Sequence, residues 1–200
     1  MRQFFGMSLN GNLTEAVHGL RTPQFLMLLS NGSQFEAHVK KLEELYPKVP
    51  SIGCIGMSYD RRIVENGVGI IAFYDGVSAA ANVLEEVSSM PVKYIERLEQ
   101  DVHKINSSYE DTVCIDFCSG NDACALTTIY SVLKHRNISL VGGTGDAGKV
   151  SANGKVYQDA VAYALVKNHH GRVKTYKENI YHPLGNYRMP DIDYMKVTPI

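Results

Sequence analysis

Two short polar stretches carry most of the side chains that could do chemistry. One follows the apolar run Ser51–Ile55 and offers Ser58, Tyr59, Asp60, Arg61 and Arg62; the other follows Ser139–Gly143 and offers Thr144, Asp146 and Lys149. A guanidinium grips a carboxylate through two parallel hydrogen bonds, and a carboxylate accepts from an ammonium. Arg61 or Arg62 acting with Asp146 would therefore hold a zwitterion such as an amino acid. Cys54 and Cys118 sit near strand ends and are expected to face a pocket, and Ser119, just after a strand, is counted among the ligand-binding candidates. Gly143, Thr144 and Gly145 would bring backbone N–H groups close to a small ligand.

The stretch Gly142–Lys149 reads GGTGDAGK and approaches a phosphate-binding loop. Such a loop continues with a Ser or Thr that ligates magnesium and with a helix whose N-terminus faces the phosphates. Here Val150 follows, and Asn153-Gly154 turns the chain into a hairpin. A nucleotide-dependent enzyme built on this loop is kept as an alternative. A thiol-dependent enzyme using Cys54 or Cys118 is another, although a reactive thiolate needs a cationic neighbour that no spacing supplies. Neither His38, His135, His169 nor His170 has a partner at fixed spacing, and neither Ser58 nor Ser119 sits in a nucleophile elbow. No catalytic residue is assigned, and the chain is read as a non-enzyme.

No cofactor or metal is expected either. The four cysteines, Cys54, Cys114, Cys118 and Cys124, show no CxxC pair. Cys114 and Cys118 lie four apart on one predicted strand, about 13 Å, too far for a disulfide. All four are expected to be buried and reduced.

Two hundred residues with 44% hydrophobic and 20% charged content can bury a substantial core. A net charge of -1 gives no electrostatic reason to expect nucleic acid or an anionic membrane surface. No stretch approaches the roughly 18 apolar residues that span a bilayer, and the first residues lack a signal-peptide core. The expected location is the cytoplasm.

Positioning the two polar stretches requires buried strands, and the sequence repeats the elements that would supply them. Gly32-Ser33 recurs as Gly120-Asn121, Ile52-Gly53 as Val141-Gly142 and Asn66-Gly67 as Asn153-Gly154, at offsets of 87 to 89 residues. These are helix entrances, strand ends and turns, where backbone geometry limits residue choice. The predicted fold is α/β, a mixed β-sheet with flanking helices, built from two pseudo-repeated β-α-β-β units. The first copy spans about 23–75, a connecting helical segment about 77–110 and the second copy about 111–183, all in one domain. In the first copy, Ser33 and Glu36 form a capping box ahead of a helix that buries Phe35, Val39, Leu42 and Leu45. In the second, a helix capped by Asn121 turns Leu126, Ile129, Tyr130 and Leu133 inward, and Ser139–Gly143 reads as a buried strand. The connecting helix opens at Pro91 and shares Ile95, Leu98, Val102 and Ile105 on one face. A last strand, Arg172–Tyr181, is expected to pair back through the turn at 169–171.

Taken together, Ile52-Gly53-Cys54, then Leu140–Asp146, then Asn153–Val156 and Asp159–Val161 resemble the N-terminal part of FIST sensory domains, from about Pro23 onward. The family commonly carries a glycine-cysteine-serine/threonine run after the second strand, which Ile55–Ser58 replaces here. The resemblance implies an intracellular ligand-sensing module of a signal transduction protein, with a small molecule, an amino acid among the candidates, as its partner. It also implies an attached output module such as a chemotaxis transducer, histidine kinase or cyclic-nucleotide enzyme. Tyr194–Thr198 is similar to the family's strand leading into a C-terminal part, so this chain is expected to be a fragment. Ligand would bias domain closure or the geometry of a homodimer. An interaction scaffold with no small ligand is the remaining alternative.

Overall fold

The apolar runs become strands, shared between two sheets stacked face to face. The computed structural model describes residues 1–56, 58–59, 62–89, 91–120 and 122–175. In chain order the elements are β1 (Arg2–Ser8), α1 (Leu13–Ala16), β2 (Phe25–Ser30), α2 (Phe35–Leu45), β3 (Ser51–Ile55), β4 (Ser58–Tyr59), β5 (Arg62–Ile63), β6 (Val68–Tyr74), β7 (Val77–Glu85), α3 (Ile95–Lys104), β8 (Thr112–Cys118), α4 (Asp122–Leu133), β9 (Ser139–Thr144), β10 (Val150–Ala152), β11 (Lys155–Tyr157) and β12 (Ala160–Asn168). The first sheet runs β1-β6-β2-β3-β10-β11 and the second β7-β12-β8-β9, while β4 and β5 form a separate ribbon. The pairs β2–β3 and β8–β9 are parallel, each joined by a helix; the other pairings are antiparallel.

Four strands of each sheet share one order, β1-β6-β2-β3 against β7-β12-β8-β9. Three elements fall at the repeated offset: β2 with β8, α2 with α4, and β3 with β9. The third echoed pair does not correspond in this way. Asn153-Gly154 turns β10 into β11, whereas Asn66-Gly67 leads into β6, which matches β12 by its pairing. Residues 77–85, expected within a helical connection, form the nine-residue strand β7. Ala79, Ala80 and Ala81 give it little intrinsic strand preference. Pairing with β12 along its whole length imposes the conformation, and small side chains let the sheets approach.

The layers are helix, sheet, sheet, helix. Between the sheets lie Phe25, Ile52, Cys54, Val83, Val150, Ala162 and Ala164. Outside the first sheet, Leu26, Leu28 and Ile70 pack on Leu13, Phe35, Val39 and Leu42. Outside the second, Cys114, Cys118, Tyr163 and Leu165 pack on Leu98, Val102, Ile129 and Leu133. Full burial of one such aliphatic side chain contributes about 1.5–3 kcal/mol. The hairpin β10–β11 ties the layers together: Val150 of β10 pairs with Cys54 of β3 although it follows directly from the second sheet.

Several local expectations change. The N-cap position of α2 is Gln34, with no side-chain cap bond, and in the turn before it Asn31 Oδ1 accepts from the Gln34 N–H at 3.0 Å and the Ser33 hydroxyl at 2.8 Å, so the Ser33–Glu36 capping box is not formed. Leu45 is exposed, and buried His38 takes a place on the inward face. Tyr130 points outward, with Ala125 and Val132 buried in its stead. Cys124 is exposed on α4, unlike the other three cysteines. Asn121 lies outside the described residues. The strand β9 is an open edge whose last four residues are exposed, because no further strand pairs with it among the described residues. Arg172–Thr175 is not a strand, and 176–181 lies outside the described residues.

Candidate functional site

Chain turns at the C-terminal ends of the two parallel pairs meet in one cleft of about 610 Å³, lined by Asn31, Gly32, Cys54, Ile55, Gly56, Val64, Glu65, Thr144, Gly145 and Asp146. Parallel pairing is what brings these ends together. β2 and β3 both finish on the same side of the first sheet, and β8 and β9 on the same side of the second. Crevices beyond the carboxyl ends of parallel strands are the usual ligand sites of α/β sheets. Each parallel pair is tied across its own end. Gly145 N–H donates to Cys118 C=O at 2.8 Å, and Gly56 N–H donates to Ser30 C=O at 3.0 Å.

Two glycines set how closely the sheets approach here. A Cβ at Gly145 would stand 2.8 Å from Cys54 Cβ and 3.1 Å from Ile55 O. Gly56 adopts φ +131°, a conformation L side chains rarely reach, and a Cβ there would meet Asp146 Oδ2 at 3.2 Å. The Asp146 carboxylate therefore leans across Gly56, so a side chain from the second half closes over the backbone of the first.

Cys54 lines this cleft but is itself buried, and burial, reinforced by the Asp146 carboxylate, pushes its thiol up to about 12. At neutral pH it is a protonated, weakly polar wall of the cleft. The Cys118 thiol is also buried and donates to Asp116 Oδ2 at 3.3 Å; it borders a second cavity of about 220 Å³ with Asp116, Leu126, Leu140, Gly142 and Gly143. The phosphate-loop alternative fails on geometry. Ala147 has φ 52° and ψ 22°, so the turn after Asp146 is left-handed, and Val150 starts β10 rather than a helix. Lys149 is drawn to α2, its Nζ 2.8 Å from Glu36 Oε1, and this ammonium holds the Glu36 carboxyl below the usual carboxylate range.

Of the expected site residues, Cys54, Thr144, Gly145 and Asp146 are thus brought together. Gly143 faces the second cavity instead. The Ser119 hydroxyl accepts from the Ala160 N–H at 2.8 Å and fastens β8 to β12. Ser58 and Arg62 enter through their backbone as members of the β4–β5 ribbon, where Ser58 pairs with Ile63 and Tyr59 with Arg62. Arg61 lies outside the described residues, as does Asp60. Asn31, Gly32, Ile55, Gly56, Val64 and Glu65 were not anticipated. Asn31-Gly32 could have been, since a turn pair directly after an apolar run marks the end of a buried strand. Among the described residues, no group of three or more His, Cys, Asp or Glu side chains could hold a metal ion, and no helix is long and apolar enough to cross a membrane. No curated protein matches the chain. A family model described as FIST N domain matches residues 24–189.

Proposed function

The chain belongs to the FIST N domain family, a family of sensory domains of signal transduction proteins, and from that premise we propose that it senses a small molecule in the cleft between the two parallel strand pairs. The reading rests above all on the composition of that cleft, to which both halves of the chain contribute: Asn31, Gly32 and Cys54–Gly56 from one, Thr144–Asp146 from the other. A ligand that touches both halves has different affinities for their different relative positions, which is the requirement for a signal. Asp146 and Glu65 are two carboxylates on the rim, suited to an ammonium group. Arg61 and Arg62 follow the same strand end in sequence and are the proposed partners of a ligand carboxylate. An amino acid satisfies both. The protonated Cys54 supports a binding role over thiol catalysis. Non-catalytic sensing in the cytoplasm, with output carried by an attached module, completes the proposal.

A thermal-shift screen of the chain against amino acids, small carboxylates and Mg-nucleotides tests it. An amino acid at a hundred times its dissociation constant is expected to stabilise the fold by about 2.7 kcal/mol. Asp146→Asn and Arg62→Ala are each expected to remove that stabilisation. Stabilisation by Mg-nucleotide alone, or by an amino acid equally in both variants, would overturn the proposed site.

A further inference from the structure

We propose that His38 couples proton binding to the geometry of the cleft wall at Asn31, with the Ser30 hydroxyl as the relay. The inference rests on the reading of that cleft as the ligand site and adds to it a proton-linked regulation. His38 falls among Phe35, Val39 and Leu42 at helical spacing, so α2 turns it inward, where it is buried. Apolar packing alone does not call for an imidazole there. In the second half, Cys118 and Leu126 stand at the repeat offset from Ser30 and His38.

The atoms of the network have few choices. His38 Nε2 lies 2.9 Å from the Gly11 carbonyl oxygen, which can only accept, so Nε2 carries a proton in either charge state. Nδ1 lies 2.7 Å from Ser30 Oγ, and Ser30 Oγ lies 3.1 Å from the Asn31 carbonyl oxygen. The hydroxyl has one proton for these two acceptors. Beside a neutral imidazole it donates to Nδ1. Once Nδ1 is protonated, Nδ1–H donates to Ser30 Oγ and the hydroxyl proton turns to the Asn31 carbonyl.

That carbonyl belongs to the cleft wall. Asn31 and Gly32 line the cleft, and Ser30 C=O accepts from the N–H of Gly56, another lining residue, at 3.0 Å. By reciprocity, a small molecule that favours one state of this wall binds with a pH dependence. Other titratable groups stand around α2. The elements packed on it carry Glu15 (α1), Cys54 (β3), and Lys155 and Tyr157 (β11), while β2 carries none; exposed His18 follows α1. The helix itself adds Glu36, paired with Lys149, and Lys40, Lys41, Glu43 and Glu44, none of them buried. The cleft adds Glu65 and Asp146. The hydrogen bond to Ser30 singles out His38 as the group whose charge the relay reads.

NMR of the full 200-residue chain from about pH 5 to 8, where an imidazole ordinarily changes charge, tests the coupling with no small molecule added. The neutral His38 ring is expected as the Nε2–H tautomer. As pH falls, the Asn31 carbonyl carbon is expected to move downfield with the midpoint of the His38 ring. Ser30→Ala is expected to abolish that shift while the ring still titrates, and His38→Gln to abolish it with His18 and Glu15 in place. The amides of β2 and β6 serve as the folding control in both variants. In the parent chain, a neutral ring protonated at Nδ1, a ring that does not titrate, or a titrating ring with a still Asn31 carbonyl would each overturn the proposal, whether or not the variants fold. A carbonyl shift that survives in either folded variant would overturn it too. Protons are the only probe, so these outcomes are distinct from failure of the cleft as a ligand site, which a thermal-shift screen without any stabilising molecule would show.

Discussion

Chemistry at the cleft is decided by a few side chains whose environments differ sharply from water. Cys54 is the clearest. Its folded thiol titrates at about 12 against an ordinary 9.0, so folding favours the neutral form. The resulting stabilisation is complete below pH 9 and is lost as pH rises toward 12. Stability measured by urea unfolding is expected to fall across that window, and less steeply in Cys54→Ala. Iodoacetamide at pH 7.5 is expected to label exposed Cys124 well before Cys54, with peptide mass spectrometry as the check. Gly145→Ala would push a methyl group against Cys54 and Ile55 O. It should cost about 1–3 kcal/mol in chemical denaturation and weaken ligand binding with it. In the outer core of the second sheet, the Tyr163 hydroxyl donates to the largely buried Asp101 at 2.6 Å. Tyr163→Phe leaves that carboxylate short of a donor, and an unfolding cost of about 1–3 kcal/mol is expected. At this scale the sequence was partly legible. Cys54 was readable because it lies near the end of an apolar run and Asp146 because it follows one, whereas Glu65 and Val64 follow a ribbon that only tertiary folding carries to the cleft.

Among the elements, the hairpin β10–β11 has consequences beyond its size. Asn153 and Gly154 both have positive φ, 47° and 77°, which is the backbone of a two-residue hairpin turn. The Asn153 side chain also links the layers: Oδ1 accepts from the Ser51 N–H at 3.1 Å and Nδ2 donates to Ala81 C=O at 2.9 Å. Asn153→Ala is expected to cost about 2 kcal/mol by the loss of two hydrogen bonds and the strained backbone. Asn153→Gly, which tolerates the φ, should recover part of that cost in the same denaturation assay. The turn was visible in sequence because Asn-Gly has a local cause. Its partner strand was not, since pairing with β3 is set by packing far along the chain. The same distinction explains β7, where an alanine-rich stretch became a strand only through β12. It also explains Tyr130, whose helical spacing places it near the buried stripe although α4 turns it outward.

At the scale of the whole molecule, the α/β class and the parallel βαβ pairs were legible as apolar runs flanking amphipathic helices. The division into two stacked sheets was not, because periodicity shows that a strand is buried without showing what buries it. That division gives the cleft its meaning, since each sheet contributes one parallel pair and the ligand would sit where both end. The most direct test is backbone NMR of the chain during titration with the amino acid selected by thermal shift. The account predicts that Gly32, Ile55, Gly56, Gly145 and Asp146 amides shift together and fit one dissociation constant. Shifts confined to one sheet, or centred away from these residues, would contradict it.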